Sequence, residues 1–300
     1  MEVRLGVAPI AWSNDDLPEL GGETSLETCL SEAAEAGYAG VETGGKFPSS
    51  SSELGPILKR HGLRLCGGWY SGTVLDNDLE AEKERVWDQL TLFRDLEAPC
   101  LVYGETAGTI QNKRDVPLSR RRRLDEDQMR IYGRKMTRFA RWCTEQGMPI
   151  GFHHHMATAV ETERDVDLLM KHSGEELPLL LDPGHMAFAG GDSLAIIDRH
   201  ARRINHVHAK DVRREVIDAL DRGRDSFLDA VLRGAFTVPG DGSMDYGAIV
   251  NRLAEKGYQG WFVVEAEQDP VKAPPLEYAQ IGNRTLRRLL TAAGYRILED

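Results

Sequence analysis

LPLLLD (177–182), INHVHAKD (204–211) and GWFVVEAE (260–267) are short apolar runs, and each of them ends in polar or charged residues. Continuous apolar runs of this length are typical of strands in a parallel sheet, because helices cover both faces of such a sheet. Five similar runs lie upstream, near residues 3, 40, 63, 100 and 149. The sequence therefore predicts eight parallel strands.

Amphipathic stretches separate these runs and predict helices. The predicted helices lie within 25–37, 52–62, 78–97, 124–147, 161–174 and 245–257. Ser25 has the residue type of a helix N-cap, and Gly37 is a helix stop signal. Eight strand–helix units in 300 residues predict a closed (β/α)8 TIM barrel, built as one α/β domain over residues 1–300. No GxGxxG sequence follows the first strand, which argues against a dinucleotide-binding fold.

Two long insertions follow predicted strand ends. They are residues 104–124, after the fourth strand, and the helical stretch 212–235, after the seventh strand. A barrel of this kind builds its active site from the loops at the C-terminal ends of its strands. We therefore expect both insertions to lie near the active site.

Composition excludes several classes of function. The formal net charge of −11 argues against a general affinity for nucleic acid or for an anionic membrane. The run from Arg120 to Arg123 is followed by LDEDQ, a pattern typical of a solvated helix start. No apolar run approaches the roughly 20 residues of a membrane span, and the N-terminus lacks signal-peptide features, so we expect a cytoplasmic protein. The four cysteines are widely spaced, and we expect each to be a buried apolar residue.

Histidines and acidic residues are concentrated at the ends of the last four predicted strands. They are His153 and His155 at the fifth strand, Asp182 and His185 at the sixth, His206, His208 and Lys210 at the seventh, and Glu265 and Glu267 at the eighth. A barrel brings these strand ends to one mouth, where unpaired carboxylates are costly to bury. A divalent cation would offset that cost, and mixed nitrogen and oxygen ligands suit Mn²⁺, Co²⁺, Fe²⁺ or Zn²⁺.

These motifs resemble those of the xylose isomerase-like TIM barrels. The resemblance implies that Asp182 in LLLDPGH, His208 in HVHAKD and Glu265 in FVVEAE are metal ligands. The family usually has a glutamate at the strand-five position, where this chain has HHH. His153 matches that position best by register, and His155 is the alternative. The resemblance also implies that His185, just past the metal-binding Asp182, contacts the substrate.

A closer resemblance is to the inosose dehydratases of myo-inositol catabolism. It rests on APIAWSNDDLPELGG (8–22), GFHHHMAT (151–158) and PGDGSMDY (239–246), and it covers nearly the whole chain. It implies a lyase that dehydrates 2-keto-myo-inositol, a cyclic polyol ketone, to a trihydroxycyclohexane-1,2-dione. The cofactors that it implies are Mn²⁺ or Co²⁺, with glutathione for some members. Because many barrels of this family associate, a homo-oligomer is in keeping with the resemblance.

Such a dehydration needs a base for the proton α to the ketone and an acid for the departing hydroxyl group. We expect His155 or Glu267 as the base, and His185 or Lys210 as the acid or electrostatic partner. Substrate hydrogen bonds should come from side chains that follow the first four strands. The candidates are Trp12, Asn14, Asp15, Glu42, Trp69 and Glu105.

Three other functions compete with dehydration. A divalent-metal-dependent sugar or inosose isomerase or epimerase would form the same enediolate and reprotonate it. A metal-dependent nuclease like endonuclease IV would need a cluster of several metals and a basic groove, which the acidic balance of this chain argues against. A non-enzymatic sugar-binding protein would not need so many histidines at strand ends.

Overall fold

Eight parallel strands close into a barrel in this computed structural model, which describes residues 1–299. The strands are β1 (Glu2–Val7), β2 (Gly40–Thr43), β3 (Arg64–Gly72), β4 (Leu101–Glu105), β5 (Ile150–His153), β6 (Leu179–Leu181), β7 (Ile204–Ala209), β8 (Asp211–Val212), β9 (Phe236–Thr237), β10 (Gly260–Val264) and β11 (Arg296–Ile297). β1 to β7 and β10 form the barrel. It closes where β10 pairs with β1, in a register from Val3–Gly260 to Val7–Val264. The predicted TIM barrel and its eight strands are confirmed.

Helices cover the outside of the barrel and connect its strands. They are α1 (Leu26–Glu35), α2 (Ser51–Arg60), α3 (Leu79–Asp95), α4 (Glu126–Glu145), α5 (Glu163–His172), α6 (Pro183–Phe188), α7 (Ser193–His200), α8 (Arg214–Asp218), α9 (Phe227–Leu232), α10 (Tyr246–Glu255) and α11 (Pro275–Ala292). The Ser25 hydroxyl accepts a hydrogen bond from Thr28 N and caps α1, and Gly37 follows its end at a φ of 85°. All six predicted helices are confirmed.

The insertion at 212–235 is only partly helical, which corrects the prediction of a helical stretch. It contains α8 and α9, and the two-residue strands β8 and β9 flank them as an antiparallel ribbon. Strands this short carry no readable period, so the sequence pattern did not reveal them. Phe227 and Phe236 from this region join Phe188 of α6 in a small apolar cluster. The ring of Phe236 lies 5.1 Å from that of His185, so the insertion supports the barrel mouth.

The remaining expectations concern burial and charge. All four cysteines are buried and free, as expected. The run from Arg120 to Arg123 does not begin a helix, because α4 starts only at Glu126. Within residues 1–299, no helix is both long enough and apolar enough to span a membrane.

Candidate active site at the barrel mouth

Four side chains from successive strand ends converge at the mouth. They are His153, Asp182, His208 and Glu265, and their ligand-type atoms all lie within 4.8 Å of one another. His153 Nε2 is 3.3 Å from Asp182 Oδ2, and His208 Nδ1 is 2.8 Å from Glu265 Oε2. Asp182 directly follows β6, and its Oδ1 accepts a hydrogen bond from His185 N at 2.8 Å as the cap of α6. Its Oδ2 is therefore left to face the other three side chains.

The donor atoms of this cluster fit a divalent cation. His208 Nδ1 is buried without a hydrogen-bond partner of good geometry, although it lies close to Glu265 Oε2, which is also 3.0 Å from Lys210 Nζ. Ligands about 2.1 Å from a tetrahedral ion lie about 3.4 Å apart, near the separations that this cluster has. Burial raises the pKa of Asp182 to about 6, against the lowering effect of Lys210. A buried site that brings histidine nitrogens and carboxylate oxygens together, with His208 Nδ1 unpaired, suits a borderline divalent ion.

Glu42 lies behind this cluster and orients one of its histidines. Its Oε1 is 3.0 Å from His208 Nε2 and 3.2 Å from His206 Nε2. Burial raises the pKa of Glu42, but His208 and His206 outweigh that effect and lower it overall, so Glu42 is a carboxylate. Glu42 therefore accepts a hydrogen bond from His208 Nε2, and the other ring nitrogen, Nδ1, faces Glu265. Glu42 is not among the residues that line the cavity, and its predicted contact with substrate stays a prediction.

A second group of polar side chains adjoins the first. Lys210 Nζ is its centre, 2.9 Å from both His185 Nε2 and Glu267 Oε1 and 3.0 Å from Glu265 Oε2. His155 Nε2 lies 3.5 Å from Glu267 Oε1. Lys210 and His185 are fully buried and do not line the cavity, so neither reaches the substrate space directly. Their predicted role as acid or electrostatic partner, and the predicted substrate contact of His185, stay predictions.

His155 and Glu267 do reach the open space. Burial raises the pKa of Glu267, but Lys210 and His155 outweigh burial and lower it overall. His155 Nδ1 lies 2.8 Å from Met156 O, and because a carbonyl only accepts, the proton is on Nδ1. His155 Nε2 is then the ring nitrogen that is left to face Glu267 and the cavity.

The cavity above these groups has a volume of about 660 Å³. It is lined by Ile10, Asp15, Asp16, Gly45, Trp69, Ser71, Thr106, Thr109, Gln111, Asn112, His155, Glu265 and Glu267. The indole of Trp69 meets the rings of His153 and His155 edge-on, at centroid distances of 5.5 and 5.4 Å. None of these described lining residues is a lysine or an arginine. The first insertion supplies four of the polar groups, in line with its predicted place near the active site.

Of the six predicted substrate contacts, Asp15 and Trp69 line the cavity, and four do not. Besides Glu42, these are Trp12, Asn14 and Glu105. Trp12 Nε1 donates to Glu32, and Asn14 Oδ1 accepts from the backbone of the turn that follows it. Glu105 accepts from Leu75 N, Ala107 N and Tyr103 OH inside the protein. All three side chains are buried and already paired, and their predicted contact with substrate stays a prediction.

The sequence reasoning missed several lining residues. Asp16 and Gln111 face the cavity, where Gln111 Nε2 donates to Asp16 Oδ2 at 3.1 Å. Asp16 follows the predicted contact Asp15 directly, so its position after the first strand was the available signal. Gln111 lies in an insertion without regular structure, and no sequence pattern marks its direction.

Comparisons with known proteins agree with this architecture. The model of the xylose isomerase-like TIM-barrel family matches residues 30–289. The chain is 50% identical over 297 residues to the rhizopine catabolism protein MocC of Rhizobium meliloti, covering 99% of this chain and 91% of that protein. It is 39% identical over 288 residues to an inosose dehydratase of Geobacillus thermodenitrificans, covering 95% and 97%. The solved structure of IOLI protein with a zinc atom has a TM-score of 0.67 at 16% identity, covering 97% and 99%.

Proposed function

The chain belongs to the xylose isomerase-like TIM-barrel family, and on that premise we propose that it is a metal-dependent hydro-lyase. Its proposed reaction is the dehydration of 2-keto-myo-inositol to a trihydroxycyclohexane-1,2-dione in myo-inositol catabolism. The relatives named inosose dehydratase support the reaction class. The observation that carries the proposal is that one cavity is lined both by Glu265, from the candidate metal cluster, and by His155, from the neighbouring cluster around Lys210.

His153, Asp182, His208 and Glu265 are the residues that would hold the metal, Mn²⁺ or Co²⁺ by resemblance. Bound there, a divalent cation would polarise the substrate ketone and stabilise the negative charge that develops on its oxygen. Glu42, which also contacts His206, would orient the His208 ring so that Nδ1 is directed at the metal. We assign no role to glutathione.

His155 is the proposed base. Its Nε2 takes the proton from the carbon α to the ketone, and the C–H electron pair becomes part of a new double bond. Glu267 Oε1, 3.5 Å away, stabilises the imidazolium that results. Lys210, hydrogen-bonded to the same Glu267 oxygen at 2.9 Å, keeps that carboxyl ionised.

The same imidazolium is the proposed acid. It returns its proton to the hydroxyl on the β-carbon, the C–O bond breaks with its electron pair, and water departs. Glu267 is ionised and therefore cannot supply this proton. Lys210 and His185 are fully buried and are not among the residues that line the cavity. One histidine that serves as base and then as acid removes hydrogen and hydroxyl from the same face of the ring.

The cavity favours an uncharged, hydroxylated ring as substrate. Hydroxyl, amide and carboxylate groups line it, and these hydrogen-bond to substrate hydroxyls. Phosphate recognition ordinarily uses arginine, lysine or a helix N-terminus, and the described lining residues include no cationic side chain except a protonatable histidine. A cyclic polyol ketone therefore fits better than a sugar phosphate.

The test is to incubate purified protein with 2-keto-myo-inositol and divalent metal, while following dione absorbance and the proton NMR spectrum. We expect dione formation that falls at least about 100-fold in Asp182→Ala, Glu265→Ala and His155→Gln, with metal content lost only in the first two. His200→Gln, which alters a histidine paired with Asp167 on α5, is the matched control and should retain activity. A product with an inverted stereocentre and no dione would replace dehydration with epimerisation. Near wild-type rates in Asp182→Ala or Glu265→Ala with unchanged metal content would refute the mechanism.

A further inference from the structure

One arginine of the run 120–123 is turned into the protein. The side chain of Arg121 is only 7% exposed. Its Nε lies 3.1 Å from Glu161 Oε1, and its Nη2 lies 2.9 Å from Asp165 Oδ2. Both partner carboxylates are themselves at least nine-tenths buried, so this is an ion cluster inside the protein and not a surface pair. Breaking such a cluster is costly because it leaves an uncompensated buried charge.

The cluster holds the loop that carries His155. This loop joins β5 to α5, and within it Ala157 has a φ of 66°, a left-handed conformation that an L-residue with a side chain adopts only at an energetic cost. Glu161 Oε2 accepts a hydrogen bond from Ala157 N at 2.7 Å, and Ala157 O accepts one from Ile110 N at 3.1 Å. The strained residue is therefore fixed on both sides.

The peptide group between Met156 and Ala157 connects this cluster to the base. Its N–H end donates to Glu161, and its C=O end accepts the hydrogen bond from His155 Nδ1 at 2.8 Å. A peptide group is planar and rigid, so rotating one end rotates the other. The direction of the Met156 carbonyl therefore helps to set the ring orientation of His155 through this hydrogen bond.

We propose that Arg121 is a positioning residue for His155, acting through Glu161 and the Met156–Ala157 peptide. Burial raises the pKa of Glu161, and Arg121 is the main group that opposes this rise. Without the guanidinium, Glu161 loses its partner, the Met156–Ala157 peptide is released, and His155 loses the hydrogen bond that fixes the orientation of its ring. The inference rests on the proposed function, in which His155 is the base.

The experiment compares Arg121→Met with Arg120→Met in the full-length, metal-loaded protein. Arg120 is the exposed neighbour in the same run and provides the matched control. We expect Arg121→Met to lower kcat by about 10- to 100-fold with KM changed less than about threefold and metal content unchanged. Arg121→Lys keeps the charge but not the forked geometry, so it should recover part of kcat. Arg120→Met should match the wild type.

Amide hydrogen exchange gives a readout that does not need the dehydratase reaction. The Ala157 amide should exchange at least about tenfold faster in Arg121→Met than in the wild type, while amides of β1 and β10 keep their protection. If Arg121→Met shows this faster Ala157 exchange but the wild type carries out no dehydration, the proposed function fails and the anchoring role of Arg121 survives. Unchanged Ala157 exchange, or a kcat within about twofold of the wild type, overturns the inference. A variant that loses protection throughout the barrel also overturns it, because the role would then be general stability.

Discussion

Glu42 Oε1 lies 3.0 Å from His208 Nε2, at the opposite nitrogen of the imidazole from the one that faces Glu265. The glutamate comes from β2 and the histidine from β7, so a contact across the barrel interior sets the direction of a candidate metal ligand. Carboxylates in this position fix the tautomer of a ligating histidine and increase its basicity. The pairing gives Glu42 a role at the site without contact with the cavity.

Replacing this carboxylate should weaken metal binding. In Glu42→Gln the amide still accepts a hydrogen bond from His208, but the negative charge is lost, and we expect the metal Kd to rise about 10-fold. Competition with a metal-sensitive chelator measures this Kd, and activity should return when metal is raised to saturation. Glu105→Gln changes another buried strand-end glutamate and should leave the metal Kd unchanged. Equal Kd values for Glu42→Gln and the wild type would contradict the assigned role.

Metal binding should stabilise the folded chain. A cation that binds the native site at about 100 times its Kd contributes about 2.7 kcal/mol to the free energy of unfolding. We therefore expect Mn²⁺ or Co²⁺ to raise Tm of the metal-depleted wild type, as measured by calorimetry, and to have little effect on Asp182→Asn. A comparable rise in both proteins would mean that the cation binds elsewhere.

Glu105 should impose a pH dependence on stability. Burial raises its pKa to about 7 from an ordinary value near 4.5. The folded chain therefore holds a proton that the unfolded chain has released, and stability falls as pH rises from about 4.5 to about 7, by about 3 kcal/mol. Urea unfolding across this range should show that decline in the wild type relative to Glu105→Gln. Parallel curves for the two proteins would show that Glu105 titrates normally.

Trp69 should contribute to substrate binding rather than to metal binding. Its indole lines the cavity, and its Nε1 donates to Ser71 Oγ at 2.9 Å, which fixes the ring plane. We expect Trp69→Ala to raise KM about 10-fold and Trp69→Phe to raise it less, with metal content unchanged in both. Steady-state kinetics with elemental analysis tests this, and an unaltered KM in Trp69→Ala would remove the residue from the substrate site.

The sequence predicts which strand ends meet, because alternation of strands and helices determines the barrel and the barrel determines its mouth. His153, Asp182, His208 and Glu265 converge for that reason. Chain position does not tell which way a side chain points or whether it is already engaged. Glu42 lies where the register between β2 and β3 shifts, after Val41, and its carboxylate is directed behind the site. The Asn14 side chain is already hydrogen-bonded to the backbone of its own turn.

The buried side chain of Arg121 is a second feature that the sequence pattern does not predict. Arg121 stands in a run of four like charges, and local charge pattern favours solvent for all of them. Its partners Glu161 and Asp165 follow about 40 residues later. Nothing local distinguishes it from Arg120, so only the three-dimensional contact identifies it.

The pairing of β1 with β10 also has a consequence for synthesis in the cell. Val3 pairs with Gly260, so the ring of strands cannot be completed until the ribosome has translated the chain through β10. Until then, apolar strand edges stay open to other chains, a state that invites aggregation and engagement by chaperones. Glu265 follows the closing strand directly, and the nascent polypeptide therefore cannot assemble the full set of candidate metal ligands early.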